Sequence, residues 1–399
     1  MNDVDALKQA VCDRVDALAP RLIRASRAIH EHPELNYEEH FAHELLTNML
    51  AEQGIEPLRS AHGLATAFDA MVGSQGPTIA VLCEYDALPG VGHACGHNVI
   101  ATAGLGAGIA AAFVAEQAGG RLRIMGTPAE EGGGGKVKMA RAGAFAGIDA
   151  AMMIHPADAD LVQMDCLAIQ ELDVDYHGKA SHAAAAPWDG RNALDAAVLG
   201  YMNVAALRQH IRTNERVHGI ITKGGDKPNI VPSHAATNWL IRSATLDSLQ
   251  PLKQRVLTCL EAGATACGCT VEHAWVGEFY ADMIDNAPMV GSYVANAARV
   301  GRLVLDPALT GRKVTGSTDM GNVSYLVPSI HPMIKVAPDG VPIHSLDFAG
   351  YAGGPEGDRA VIDGAKAMAM TIVDLWTSPT LLEQVRAEFD RRPQGVTVF

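Results

Sequence analysis

Three times in the early part of the chain, a short apolar run of strand character ends in a loop carrying side chains of metal-binding type. Thr78-Ile79-Ala80-Val81-Leu82-Cys83 is continuous and β-branched, the pattern of a strand buried on both faces, and leads to Gly92-His93-Ala94-Cys95-Gly96-His97-Asn98. Leu122 to Met125 leads to Thr127-Pro128-Ala129-Glu130-Glu131, and Ala150 to Ile154 leads to His155-Pro156. Loops at the carboxyl ends of strands are where open α/β sheets place their chemistry. Around these runs the apolar spacing predicts helices over 5–30, 37–53, 99–118 and 136–142, and a further strand over 64–72. Asn36 is placed to cap the second helix, with Glu38 and Glu39 in its positively polarised first turn.

From about Cys166 the pattern alternates. Strands predicted over 168–176, 216–223, 235–243 and 270–280, with helices over 192–211 and 248–262, give the order βαββαβ of a ferredoxin-like sandwich with a solvated sheet face. Buried α/β character returns from about Asp285: a helix around Ala297-Ala298, a polar loop Gly316–Ser324 running into another helix, a strand over 333–336, a loop holding His344, and a closing helix over 359–376. The segment 386–399 is charged and suggests no element. The expectation is an α/β catalytic domain from 1–167 and 282–399, with a mixed, mostly parallel sheet flanked by helices, interrupted by an inserted α+β domain over 168–281. A length of 399 residues agrees with two domains.

Composition narrows the function classes. Hydrophobic residues at 48% and charged ones at 19% describe a well-packed soluble protein. A net charge of −14 without a Lys/Arg tract argues against a nucleic-acid surface. The acidic start Met1-Asn2-Asp3-Val4-Asp5 leads into an amphipathic helix rather than a signal sequence, and no apolar run reads as long enough to span a membrane. Seven scattered cysteines fit a reducing compartment, so the expected location is cytoplasmic. Cys267-Gly268-Cys269 lacks a second pair and reads as structural. His30, His32, His40 and His43 lack companion ligands and read as solvated or capping.

A glycine between Cys95 and His97 lets a thiol and an imidazole turn toward one ion, while Cys-x-His is too short for a structural zinc finger. Glu130 and Glu131, followed by four glycines, can divide the labour, one coordinating metal and its neighbour acting as general base on a water. Singly, Cys95 reads as a small buried hydrophobe and His97 or His155 as a structural imidazole. Three strand ends in succession favour a metal site, to which His344 offers one more imidazole. In the insert, Gly178–Ala183 and Asn229-Ile230-Val231-Pro232 put polar groups on turns, a role that turn-shaping alone would satisfy.

Taken in order and spacing, several motifs resemble the aminoacylase and carboxypeptidase family of co-catalytic metallopeptidases (peptidase family M20). They are His32-Pro33-Glu34, Asp86-Ala87-Leu88-Pro89, Gly92–His97, Pro128–Gly133, His155-Pro156, Ser181-His182-Ala183, Asn229–Pro232, Gly316–Asp319 and His344-Ser345, spread over nearly the whole chain. The resemblance is to the amidohydrolase branch, which hydrolyses N-acylated amino acids and small dipeptides. It implies a zinc-peptidase-like catalytic domain in which Cys95, His97, Glu131, His155 and His344 hold two divalent ions, Mn2+ or Zn2+, with Glu130 as catalytic base and Asp86 orienting the ligands from behind. It also implies that His182, often serving the partner subunit in relatives, binds the substrate's carbonyl or carboxylate, helped by Asn229.

Two positions depart from the commonest form of that branch. Glu84 and Asn98 each stand where many members have Asp, and a neutral amide at Asn98 supplies no negative charge behind the ligands. This variant resembles members that cleave aminoacyl dipeptides or aminobenzoyl-glutamate. The expected activity is hydrolysis of the amide bond of a small N-acyl or aminoacyl amino acid. The alternatives are hydrolysis of another C–N bond, such as an aromatic amine, and a non-catalytic metal-bound dimeric binding protein. The insert is expected to act as a lid, hinged near residues 166 and 282, and to form a homodimer through an alternating edge strand.

Overall fold

The computed structural model describes residues 4–310, 315–392 and 398. The chain forms two compact units, Met1–Asp165 with Met283–Phe399, and Cys166–Asp282.

The first unit is built on a six-stranded sheet in the spatial order Leu58–Arg59, Phe68–Val72, Arg121–Gly126, Thr78–Cys83, Ala150–Met152, Ser329–Ile330. The last four strands run parallel, and Phe68–Val72 is antiparallel to both its neighbours. The sheet is therefore mixed and mostly parallel. Every side chain of Thr78–Cys83 is buried, as its unbroken apolar pattern requires. Helix His97–Ala118 lies close on this sheet, because a Cβ on Gly104 would stand 2.6 Å from the Leu82 carbonyl oxygen and one on Gly108 2.6 Å from Ile124. Helices Val4–Glu31 and Pro355–Thr377 pack against it in turn. The first helix sinks Val11, Val15, Leu22 and Ile29 into the core, each worth roughly 1.5–3 kcal/mol of burial.

Some sequence expectations need correction. His97–Ala118, with 22 residues, is long and apolar enough to cross a membrane by length and composition, so one run does reach that length; 89% of its most apolar window is buried, marking it as a core helix. The second helix starts at His40, and Asn36 does not cap it. Glu34 reaches over instead, its two carboxylate oxygens accepting from the Phe41 and Ala42 N–H groups at 2.9 and 3.0 Å. His43 is not solvated: it is buried, and its Nδ1 donates to the Thr66 carbonyl at 2.9 Å. The strand from Ala150 stops at Met152, and His155–Ala157 pairs with Met333–Lys335 in a separate parallel ladder. A further helix, Pro379–Asp390, follows the expected closing one, with Ser378 Oγ accepting from the Leu381 N–H. Beyond residue 392, all of the terminal segment except Val398 lies outside the described residues.

The second unit runs strand Ala168–His177, helix Ala193–Leu207, strands Arg216–Lys223 and His234–Ser243, helix Leu246–Cys267 and strand Thr270–Tyr280. Its antiparallel sheet has the order Thr270–Tyr280, Ala168–His177, His234–Ser243, Arg216–Lys223. Strict alternation buries Leu172, Val174 and Tyr176 on the helix-covered face and leaves the intervening residues half-buried. Gly268, with φ +65°, ends the second helix between Cys267 and Cys269.

Glu39 is fully buried in the first unit. Burial, opposed by the hydrogen bond from Thr66 and by backbone donors, pushes its carboxyl up to about 7 from an ordinary 4.5. A folded-state value above the unfolded one means that its contribution to stability is complete below about 4.5 and is lost as pH rises through about 7. Thermal unfolding of wild type against Glu39→Gln should therefore show the wild-type advantage shrinking between pH 5 and pH 8. A difference that stays constant across that range would contradict this.

Candidate metal centre

The loops that leave Thr78–Cys83, Arg121–Gly126 and Ala150–Met152 at their carboxyl ends come together. His97 is the first residue of its helix, entered through Gly96 at φ +80°, where a Cβ would stand 2.8 Å from Pro156. Only a glycine lets the thiol loop pass so close to the histidine strand. Cys95 Sγ lies 3.3 Å from His155 Nε2.

Three sets of donors converge: Cys95, His97 and His155; Cys95, Glu131 and His344; His97, Glu130 and Glu131. Within each set one donor atom per residue lies within 4.8 Å of the others. All five residues that the resemblance names as ligands are thus neighbours, with Glu130 among them. His344, exposed and held at φ +67°, is anchored through its N–H to the Ala94 carbonyl at 2.8 Å.

The imidazoles are oriented by what their Nδ1 atoms meet. His97 Nδ1 pairs with Asp86 Oδ1 at 3.1 Å, and His155 Nδ1 donates to the Pro156 carbonyl at 2.8 Å, so each presents Nε2 to the cluster. The second Asp86 oxygen accepts from the Glu131 N–H at 2.9 Å. One buried carboxylate thereby aims a candidate imidazole ligand and a candidate carboxylate ligand together. Asp86 is held below the usual carboxylate range, because His97 and the hydrogen bonds it accepts outweigh the burial that would raise it.

Burial first, and then the carboxylates of Glu131, Glu84 and Asp319, push Glu130 well above the usual range, against the pull of His97. Burial also pushes the Cys95 thiol up, reinforced by Glu131. His97 Nε2 and Glu131 Oε1 are buried and make no hydrogen bond to the described residues, though they lie 3.8 Å apart. Crowded carboxylates and a buried thiol are what divalent cations relieve, since a coordinated thiol gives up its proton and carboxylates find their counter-charge. The donor set fits such ions.

Sequence reasoning missed the polar floor of this centre. Lys136, read only as the start of a helix, is fully buried. Its ammonium ion-pairs with Glu84 and bonds Asp319 Oδ1 at 2.5 Å, while its N–H donates to Asp319 Oδ2 at 2.8 Å. Burial pulls its proton affinity down, but Asp319 and Glu84 outweigh it and raise the lysine above its ordinary value. The Gly316–Asp319 motif was a signal for Asp319; nothing marked Lys136, because a lysine at a helix start ordinarily faces water. Glu84 sits with its Oε2 3.7 Å from His97 Nε2. Asn98 Nδ2 donates to Ser26 Oγ and the Ala352 carbonyl at 2.9 and 3.0 Å, and the second is a contact a carboxylate could not make.

His182 and Asn229 belong to the second unit, on adjoining turns: the Ala183 N–H donates to the Asn229 carbonyl at 3.1 Å, and His182 Nδ1 accepts from the Ala184 and Ala185 N–H groups at 3.2 Å. Both side chains are exposed.

The model of the family described as "Peptidase family M20/M25/M40" matches residues 68–347. The chain belongs to that family. Within the M20/M25/M40 family, it is 40% identical to an Xaa-Arg dipeptidase of Mus musculus over 97% of this chain and 93% of that protein. It is 29% identical to a component of the p-aminobenzoyl-glutamate hydrolase of Escherichia coli (strain K12), over 94% and 93% of the two chains. In fold it is similar to a dinuclear metal binding M20 peptidase of Bacillus subtilis, with a TM-score of 0.71 at 21% identity, covering 90% of this chain and 98% of that one. This M20/M25/M40 member is an enzyme of the metal-dependent peptidase and amidohydrolase class.

If Asp86 orients His97 and the Glu131 loop, Asp86→Asn should weaken Zn2+ or Mn2+ binding about 10- to 100-fold in calorimetric titration. Unchanged affinity would remove that role.

Proposed function

We propose that this enzyme hydrolyses the amide bond of a small aminoacyl or N-acyl amino acid, a dipeptide-like substrate. Two divalent ions held by Cys95, His97, Glu131, His155 and His344 would assist, with Glu130 as general base. The observation that carries this reading is the convergence of those five donors with an adjacent carboxylate that belongs to the same turn as one of them. Two relatives matched over nearly their full length are named for a dipeptide and for an aminobenzoyl amino acid, both amides of an amino acid.

When bound, the ions supply polarisation of the scissile carbonyl and a water acidic enough to lose its proton near neutral pH. Glu130 takes that proton and returns it to the leaving amine, a transfer suited to a carboxyl whose burial and acidic neighbours raise its affinity for protons. Asp86 keeps His97 in the tautomer that presents Nε2. His182 and Asn229 bind the carbonyl or carboxylate end of the substrate, His182 in the manner of an imidazole whose free Nε2 can donate. The mixture of thiolate, imidazole and carboxylate suits Zn2+ and admits Mn2+. Seven free cysteines support the cytoplasm as the compartment.

Glu130→Gln should retain metal binding while kcat falls roughly 10²- to 10⁴-fold on the best member of a panel of dipeptides, N-acyl amino acids and p-aminobenzoyl-glutamate. Near-full activity in that variant would overturn Glu130 as the base, and release of ammonia in place of an amino acid would overturn the reaction class.

The second unit is proposed to hold two copies together, serving also as a lid. Arg216–Lys223 is an edge strand exposing Ile220 and Ile221, and helix Ala193–Leu207 exposes Val198, Leu199 and Met202. Light scattering should give the mass of a dimer, and Ile220→Asp with Met202→Asp should shift it to a monomer. A wild-type monomer at working concentration would contradict the assembly.

A further inference from the structure

Consecutive side chains on an extended strand point to opposite sides, yet Glu130 Oε2 and Glu131 Oε1 both come close to one nitrogen, His97 Nε2, at 3.9 and 3.8 Å. The backbone achieves this with a tight turn: the Gly132 N–H donates to the Glu130 carbonyl at 2.7 Å, and Ala129, immediately before the pair, sits at φ +60°. That is the left-handed region, which residues with a Cβ avoid because it crowds the following carbonyl. Ala129 is held there from outside its own loop. Tyr37, on the segment leading to helix His40–Ala51, is also left-handed at φ +66°. Both N–H groups end on a single atom, Glu39 Oε1, at 2.9 Å from Ala129 N and 3.0 Å from Tyr37 N. Glu39 Oε2 accepts from Thr66 Oγ1 at 2.7 Å, so the carboxylate is fixed at both ends. The same segment grips the turn twice more, through Asn36 Nδ2 to the Glu131 carbonyl at 2.6 Å and through the Tyr37 hydroxyl to the Gly133 carbonyl.

We propose that Glu39 is a positioning residue for the reaction: its carboxylate clamps Ala129 in the left-handed conformation that brings Glu130 and Glu131 to the same point. An oxygen with two lone pairs suits the task, because both N–H groups converge on one acceptor atom. Asn36 and Tyr37 are the outer parts of the same strap. The clamp explains why a glutamate in the expected first turn of a surface helix is instead buried, and why an alanine rather than a glycine is tolerated at Ala129. The inference rests on the metal-hydrolase reading of the centre.

Three variants test it: Glu39→Met, of similar length with no acceptor; Glu39→Gln, which keeps an acceptor oxygen; and Glu39→Met combined with Ala129→Gly, since glycine takes the left-handed conformation without a clash. Mn2+ and Zn2+ affinity, kcat, KM and thermal unfolding are measured for each. Glu39→Met should lose about 10- to 100-fold in metal affinity and a similar factor in kcat, with KM changing less than about threefold. Glu39→Gln should stay within about threefold of wild type. Ala129→Gly in the Glu39→Met background should recover about tenfold of the lost affinity without raising the melting temperature, a rescue that a merely structural glutamate would not show. If Glu39→Met does not fold, Glu39→Asp, one methylene too short to reach both N–H groups, takes its place with the same expectations. Wild-type affinity in the acceptor-lacking variant, or a double variant no better than the single one, would overturn the clamp. A wild-type protein that binds neither ion would instead overturn the metal reading.

Discussion

The carboxylates of Glu84, Asp86, Glu130, Glu131 and Asp319 share one largely buried neighbourhood around His97, and their mutual repulsion is the constraint to which the first unit answers. A buried charge is tolerated only where an opposite charge or a set of donors meets it. Lys136 meets Glu84 and Asp319; His97 and the Glu131 N–H meet Asp86. Glu130 and Glu131 lie beside His97, and Glu131 also lies 3.4 Å from His344 Nε2. An excess of buried carboxylates of this kind would destabilise an ordinary core, and it is the kind of surplus charge that divalent ions relieve.

Rigid surroundings keep the crowded groups from relaxing apart. The parallel strands end together, helix His97–Ala118 is drawn onto the sheet at Gly104 and Gly108, and Gly96 carries the thiol loop against Pro156. Near the centre, backbone strain falls on Ala129, Tyr37 and His344, each pinned by a hydrogen bond from or to its main chain. The strained positions flank candidate donors, the usual place for conformations that only a firm scaffold maintains.

The second unit follows simpler rules. Alternation buries one face of its sheet beneath two helices, and its exposed apolar residues fall on an edge strand, on one of those helices and, with Trp188 and Ile230, in the connections. His182 and Asn229 are exposed on turns, where the Ala184 and Ala185 N–H groups hold the His182 imidazole through Nδ1.

The sequence by itself determined the elements whose signals are local. Arg216–Lys223 and Thr270–Tyr280 were legible to the residue because alternation is read from neighbours, and the candidate ligands were legible because thiol, imidazole and carboxylate followed apolar strands. Helix Pro379–Asp390 was not, its exposed charges having hidden a narrow buried stripe of Leu382 and Val385. Only the tertiary structure decided which polar residues are buried and what they hold. Glu39 acts on Ala129 across the fold, Lys136 on Asp319, and Asn36 forsakes its expected helix for the Glu131 carbonyl. A charged side chain's burial depends on partners supplied by distant segments, and hydrophobic periodicity carries no record of them.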